Sequence, residues 1–290
     1  MEIIETAPAK INLGLDILGK RPDGYHELEM VMTSIDLADR LYFSPLAADQ
    51  IIVETDNHFL PVDSRNHVYQ TIMLLKNRFA ITSGIKCFIQ KRIPIAAGLG
   101  GGSTDAAATL RALNRLWSLE LTLPELAQIG LKMGTDVPYC VYGQTAFVSG
   151  IGDKVETLPP CPAAWVVVVK PPLSVSTRKI FSQVDMKELI HPPITALKEA
   201  IDRDDYPQMI QAVGNSLEAV TMKKYPIVRQ IKQQMLNFGA DAAVMTGSGP
   251  TIIGLCKNHS RAQRAYNSLR GFCQEVYLVH TVNTYEARKI

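Results

Sequence analysis

Pro94-Ile-Ala-Ala-Gly98-Leu-Gly100-Gly101-Gly102-Ser103-Thr104-Asp105-Ala-Ala-Ala108 decides how the chain is read. Gly98, Gly100, Gly101 and Gly102 crowd into one short stretch. Glycine loses more conformational freedom on folding than any other residue. A cluster therefore belongs where the backbone must approach something closely or take positive φ. A strand pattern over 85–90 precedes the loop, and the small residues 106–108 sit in a helix expected over about 103–117. Loop amides and the free N–H groups of a first helical turn then converge on one point, which suits a phosphate. A flexible linker would not run straight into an alanine-rich helix. A dinucleotide fingerprint would need glycine at 103, where Ser103 stands, and a βαβ setting that is missing. Gly14-Leu-Asp-Ile-Leu-Gly19-Lys20 has Walker-type glycine spacing, but Arg21 replaces the Ser/Thr that would bind magnesium and no helix follows.

Upstream, Ala9, Ile11, Leu13, Leu15 and Ile17 alternate with Lys10, Asn12, Gly14 and Asp16, the period of a half-buried strand. Arg21-Pro-Asp-Gly24 is turn chemistry, and a second strand over 26–37 completes a hairpin. Short strands are expected at 40–44 and 50–54. A helix is expected over 66–80, with Val68, Ile72, Leu75 and Phe79 at helical spacing and Asn66 as its N-cap. Thr122 caps a further helix that carries Pro124 in its first turn. Thr157-Leu-Pro-Pro-Cys-Pro162 reads as a linker, dividing the chain into 1–158 and 159–290. The second part opens on an apolar strand at 165–169 and is mostly helical to about 238. A strand–turn–strand around Gly247-Ser-Gly-Pro250, a helix and a strand over 275–280 follow. Strands and helices mix without a βαβ rhythm, so the fold class is α+β in two domains.

Composition restricts the partners. Of 290 residues, 47% are apolar and 20% charged, with a net charge of +2 and no basic tract longer than Lys223-Lys224. Neither a nucleic acid nor a membrane is expected as partner. The opening MEIIETAPAKINLGL lacks the basic and apolar regions of a signal peptide, and 163–169 is too short to span a bilayer. Cys87, Cys140, Cys161, Cys256 and Cys273 are widely spaced without a CxxC pair, so core filling and a reducing cytoplasm are expected. His58, His67, His191, His259 and His280 show no ligand spacing.

The glycine loop, the segment Pro8-Ala-Lys10-Ile-Asn12-Leu13 and the late turn Met245-Thr-Gly-Ser-Gly-Pro-Thr251 together resemble the GHMP kinases, and occur in the family's order. The resemblance covers essentially the whole chain. It implies a strand-rich N-terminal α/β domain, a ferredoxin-like α+β C-terminal domain and an active site in the cleft between them. It also implies ATP and Mg2+ as cofactors, with 94–104 on the phosphates: Pro94, Ile95, Ala96, Ala97, Gly98, Leu99, Gly100, Gly101, Gly102, Ser103 and Thr104.

Arg21-Pro-Asp-Gly-Tyr25-His26-Glu-Leu28 and Gly134-Thr-Asp136-Val-Pro138 sharpen the resemblance. They point to the branch that phosphorylates the 2-hydroxyl of a cytidine diphosphate derivative of methylerythritol, in non-mevalonate isoprenoid synthesis. By that resemblance Asp136 is the general base and Lys10 its charged partner. Asn12, Tyr25, His26, Thr177 and Phe181 meet the substrate, and the enzyme is a monomer or weak homodimer. The residues alone leave other readings open: a solvated strand face for Lys10 and Asn12, a helix cap for Asp136, hairpin packing for Tyr25-His26. Thr104-Asp105 departs from the small polar pair common after Ser103, so Asp105 either approaches the cation or helps cap the helix. A kinase for mevalonate, homoserine or a sugar would keep the loop and Asp136 without needing Tyr25, His26 and Phe181. A non-catalytic nucleotide-binding protein would be expected to lose Lys10, Asp136 or the glycines.

Overall fold

The computed structural model describes residues 2–282. The chain runs β1 (Ile3–Lys20), β2 (His26–Leu46), β3 (Ile51–Thr55), α1 (His67–Phe79), β4 (Gly84–Gln90), α2 (Gly101–Leu116), α3 (Leu123–Gly130) and α4 (Val137–Tyr142). It continues through β5 (Ala146–Gly150), β6 (Lys154–Thr157), β7 (Trp165–Lys170), α5 (Thr177–Phe181), α6 (Ile194–Asp202), α7 (Tyr206–Ala212) and β8 (Gly214–Asn215). The remaining elements are α8 (Glu218–Lys224), α9 (Pro226–Asn237), β9 (Ala242–Met245), β10 (Ile252–Cys256), α10 (His259–Leu269) and β11 (Glu275–His280).

Two sheets carry the α+β fold. The first has the order β3-β4-β2-β1-β8, with β5 added to β2 and β6 to β5. The second is antiparallel in the order β11-β7-β10-β9, and α9 and α10 lie against it. The valines at 166 and 168 and Ile253 and Leu255 share a buried cluster with Ala9, Ile11 and Leu13 of β1. The second sheet therefore rests on the first.

The long hairpin departs from the simple alternation read in the sequence. Expected strands at 26–37 and 40–44 are one strand, because β2 absorbs surplus residues as a bulge rather than breaking its pairing. Pro8 pairs with Ala38 and Lys10 with Ser34, so 35–37 lie opposite Ala9. The freed segment is used elsewhere. Ile35 bridges Thr281, and Asp36 Oδ1 accepts from His280 N at 2.7 Å, which ties the second sheet to the first. A further register shift lies between Asn12 and Gly14. A one-residue slip exchanges the two faces of a strand, and Lys10 and Leu15 accordingly line the same cleft despite their odd separation.

Nor is β1 half-buried. Its polar set is covered as well, with Lys10, Asn12 and Asp16 all inside. Gly14 shows how closely the covering layer sits: a Cβ there would lie 2.7 Å from Ile194 Cδ1 and 2.8 Å from Leu197 Cδ2 of α6. Forcing atoms into a filled interface costs about 1–3 kcal/mol. Gly14→Ala is expected to lose stability on that scale in a urea titration, through a lower midpoint at unchanged slope.

Candidate active site

Lys10 projects from the middle of β1 and is only 4% exposed. A buried ammonium needs oxygen in place of water. Its Nζ donates to Asn12 Oδ1 at 3.0 Å and stands 3.5 Å from Asp136 Oδ2. Asp136 occupies the N-cap position of α4, yet its side chain makes no capping hydrogen bond. That carboxylate is instead turned to Lys10 and the cleft, with its side chain 35% exposed. The capping alternative is therefore not what the side chain does.

Asn12, expected to meet the substrate, does not line the cleft. It is fully buried, and its Oδ1 accepts from Lys10 Nζ and from Gly247 N at 2.9 Å. The amide is spent on aiming the lysine and holding the late turn. Thr246 Oγ1 accepts from Asn12 N at 3.1 Å, and Asn215 Nδ2 donates to Met245 O and Gly247 O at 2.7 and 2.8 Å. Asn215 is a residue that sequence reasoning missed. It reaches the turn only because β8 pairs with β1.

The phosphate loop runs between Lys10 and that turn. Gly98 and Gly100 take φ of +76° and +70°, and Ala96 also lies in the left-handed region at +53°. A Cβ on Gly98 would meet Thr246 O at 2.7 Å, and one on Gly100 would meet Lys10 Cγ at 2.7 Å. Gly101 and Gly102 are needed for another reason. They already belong to α2, which starts two residues earlier than the sequence pattern implied. Their missing side chains leave room for Ile93 at 3.2 Å and His67 Nδ1 at 3.1 Å. Thr104, grouped with the loop in the sequence, is buried behind it and off the cleft wall. Its N–H donates to Gly100 O at 2.8 Å in the first turn.

Behind the loop lies a second buried cation. Lys91 Nζ contacts Asp39 Oδ2 at 2.6 Å and Asp105 Oδ2 at 2.5 Å. Asp39 Oδ1 accepts from Arg92 N and Ile93 N at 2.5 and 2.9 Å, so one carboxylate fixes the approach to the loop. Burial pushes the Asp105 carboxyl up to about 7, against the charge of Lys91 and with that of Asp39. Asp105 Oδ1 is buried without a hydrogen-bond partner, on a residue that lines the cleft one turn into α2. A buried carboxyl oxygen without a partner, on a residue that lines the cleft with Ser103 and the loop, suits a hard cation such as Mg2+. Among the described residues, no group of three or more His, Cys, Asp or Glu side chains forms a metal cage. A phosphate-bound Mg2+ needs only one or two protein oxygens.

The cleft has a volume of about 1350 Å3 and joins these parts. Tyr25, His26, Thr177 and Phe181 also line it. The rings of His26 and Phe181 lie 5.4 Å apart at 42°. Tyr25 is 57% exposed, with no ring partner among the described residues. Thr177 Oγ1 and Ser248 Oγ share a hydrogen bond of 2.9 Å that docks α5 on the late turn. Burial, and then the charge of Lys20 across the hairpin, hold the His26 imidazole below its ordinary value. Leu60, Pro61, Arg65, Asn66, His67 and Lys91 also line the cleft, and the sequence pattern gives none of them a role there. Asn66 caps α1, accepting from Val68 N at 2.8 Å.

Comparison with known proteins gives the family. Residues 66–144 match the model for the GHMP kinases N terminal domain, and 197–275 that for the GHMP kinases C terminal. The chain belongs to the GHMP kinase family. As a GHMP kinase it is ATP-dependent. It is 59% identical to a 4-diphosphocytidyl-2-C-methyl-D-erythritol kinase of Enterococcus faecalis, over 97% of this chain and all of that one. It is 53% identical to the protein of the same name from Bacillus pumilus, over 99% of both chains. The crystal structure of a 4-(cytidine 5'-diphospho)-2C-methyl-D-erythritol kinase superimposes with a TM-score of 0.83 at 31% identity, over 98% of this chain and 100% of that one.

Gly100 tests the loop most sharply. A left-handed conformation costs a side chain about 1–2 kcal/mol, and the added methyl also displaces Lys10. Gly100→Ala is expected to weaken ATP binding by roughly ten-fold or more in calorimetric titration, with the fold intact by circular dichroism.

Proposed function

We propose that this GHMP kinase transfers the γ-phosphoryl group of ATP to the 2-hydroxyl of 4-diphosphocytidyl-2-C-methyl-D-erythritol. The observation that carries the reading is the Lys10–Asp136 pair, 3.5 Å apart on a cleft that also holds the glycine loop and the His26–Phe181 rings. The curated names of the relatives supply the acceptor. Phosphoryl transfer asks the protein for positioning and charge stabilisation rather than covalent chemistry. Here the backbone N–H groups of 95–103, at the N-terminus of α2, hold the phosphates. Asp136 takes the proton of the attacking hydroxyl. Lys10 neutralises charge developing on the transferred group. Mg2+, held by Asp105 and Ser103 on the protein side, would supply further neutralisation of the phosphate oxygens.

Tyr25 and Phe181 offer faces to the cytosine, and His26 its edge. A neutral imidazole has one nitrogen free to accept from the exocyclic amine, which uracil lacks. A mevalonate, homoserine or sugar kinase would have no use for these rings. Each of these groups comes from one chain, so a monomer suffices. All five cysteines are free and buried, and we place the enzyme in a reducing cytoplasm.

Asp136→Asn is expected to lower turnover by about 10²–10⁴-fold with little change in substrate affinity, measured by coupled ADP release. Turnover within a few-fold of the parent would remove Asp136 as base. Tyr25→Ala or Phe181→Ala should each raise the dissociation constant of the cytidine substrate by roughly ten- to hundred-fold, with ATP binding unchanged. His26 adds a pH signature. Its folded value is depressed, so the neutral form is lost only as pH falls through that lowered value. Affinity for the cytidine substrate should fall on that acidic limb while ATP affinity stays level, and His26→Ala should abolish the limb.

A further inference from the structure

Lys10 and Asp136 lie on different elements, β1 and the start of α4, and the phosphate loop opens a third, α2. A single side chain grips all three. Arg111, nearly three turns into α2, is buried. Its Nε donates to Glu5 Oε1 at 2.8 Å and its Nη2 to Thr6 O at 3.2 Å, both on β1 just ahead of Lys10. Its Nη1 donates to Cys140 O at 2.8 Å and Val141 O at 3.3 Å, in the last turn of α4. α4 is a six-residue helix, and Cys140 N donates to Asp136 O at 3.1 Å, so the gripped carbonyls lie one turn from the base.

We infer that Arg111 is the positioning residue that sets the Lys10–Asp136 separation, holding the strand of one and the helix of the other in the same guanidinium plane. The inference rests on that pair being the reacting end of the cleft. Anchoring α2 would need only the ion pair with Glu5, which Arg115 reinforces. Three further bonds go to main-chain carbonyls of the two elements that carry the reacting groups. Two of those carbonyls end a helix and lack intrahelical partners. Burial alone would raise the Glu5 carboxyl, but Arg111 and Arg115 turn the balance to a net lowering, so the clamp stays charged. The planar fork matters here, because a lysine in its place brings the charge without the divergent donors.

The test is Arg111→Lys, assayed for kcat and for both KM values. Displacements near 1 Å cost about 10²-fold in rate. The expected result is a fall in kcat of about 10- to 100-fold, with KM for ATP and for the cytidine substrate nearly unchanged. Asn114→Ala is the control. It lies one turn along the same helix, but its side chain bonds Leu121 rather than β1 or α4. It should lower Tm and spare kcat. Combined with Asp136→Asn, the Arg111→Lys change should cost nothing more, since both act on one step.

Unchanged kcat in folded Arg111→Lys overturns the inference. So does a loss matched by Asn114→Ala at equal Tm, or a full additional loss on the Asp136→Asn background. If Arg111→Lys does not fold, Glu5→Gln decides in its place, by a fall in kcat at constant KM or by none. Should Asp136→Asn alone leave turnover intact, it is the assignment of the reacting pair that fails.

Discussion

An ammonium group taken out of water must be given oxygen to replace it, and much of the cleft serves that requirement for Lys10. Its two partners are of different kinds. Asn12 Oδ1 is neutral and fully buried, while the Asp136 carboxylate is charged and partly open to solvent. A neutral acceptor orients the lysine without cancelling its charge, leaving that charge to act on the carboxylate and on whatever enters beside it. Asn12 can do this only while Gly247 N saturates the same oxygen, which requires the late turn to sit against β1. The turn in turn requires Asn215, and β8 must pair with β1 to deliver it.

Two further buried cations repeat the theme with other outcomes. Lys91 is enclosed by two carboxylates, one of which also anchors the chain entering the phosphate loop. Arg111 spends its fork on one carboxylate and several carbonyls. Removing one partner from such a buried set typically costs 3–5 kcal/mol, because the other is left uncompensated. The loop and α2 are thus held from behind by Lys91 and further along the helix by Arg111, while Gly98 and Gly100 let the late turn and Lys10 pack directly on the loop backbone. Rigid support behind a bare backbone is what close approach to phosphate oxygens demands.

Much of this was legible in the sequence because it is local. Glycine density, the capping residues Asn66 and Thr122, the turn at Arg21-Pro-Asp-Gly24 and the alternation around Lys10 depend on neighbours within a few positions. The α+β class and the gathering of Lys10, Asp136, the loop and the rings on one cleft follow from motifs whose chemistry is explicit. Local patterning failed where the period was interrupted from outside. The β2 bulge at 35–37 exists because Ile35 and Asp36 serve 280 and 281, and no pattern within β2 announces that.

By itself the sequence determined which residue types the chemistry would use and which local conformations the chain would adopt, since both are properties of side chains and short-range sterics. It could not determine which polar atoms would be free. The family resemblance implies that Asn12 meets the substrate, yet its Oδ1 accepts from Gly247 N, 235 positions away. Lys91 pairs with Asp39 and Asp105, at 52 and 14 positions, and Arg111 with Glu5 at 106. A hydrogen bond is a contact a few ångströms long, and a chain's linear order does not encode which distant groups folding brings within that range. Only the tertiary structure decided that.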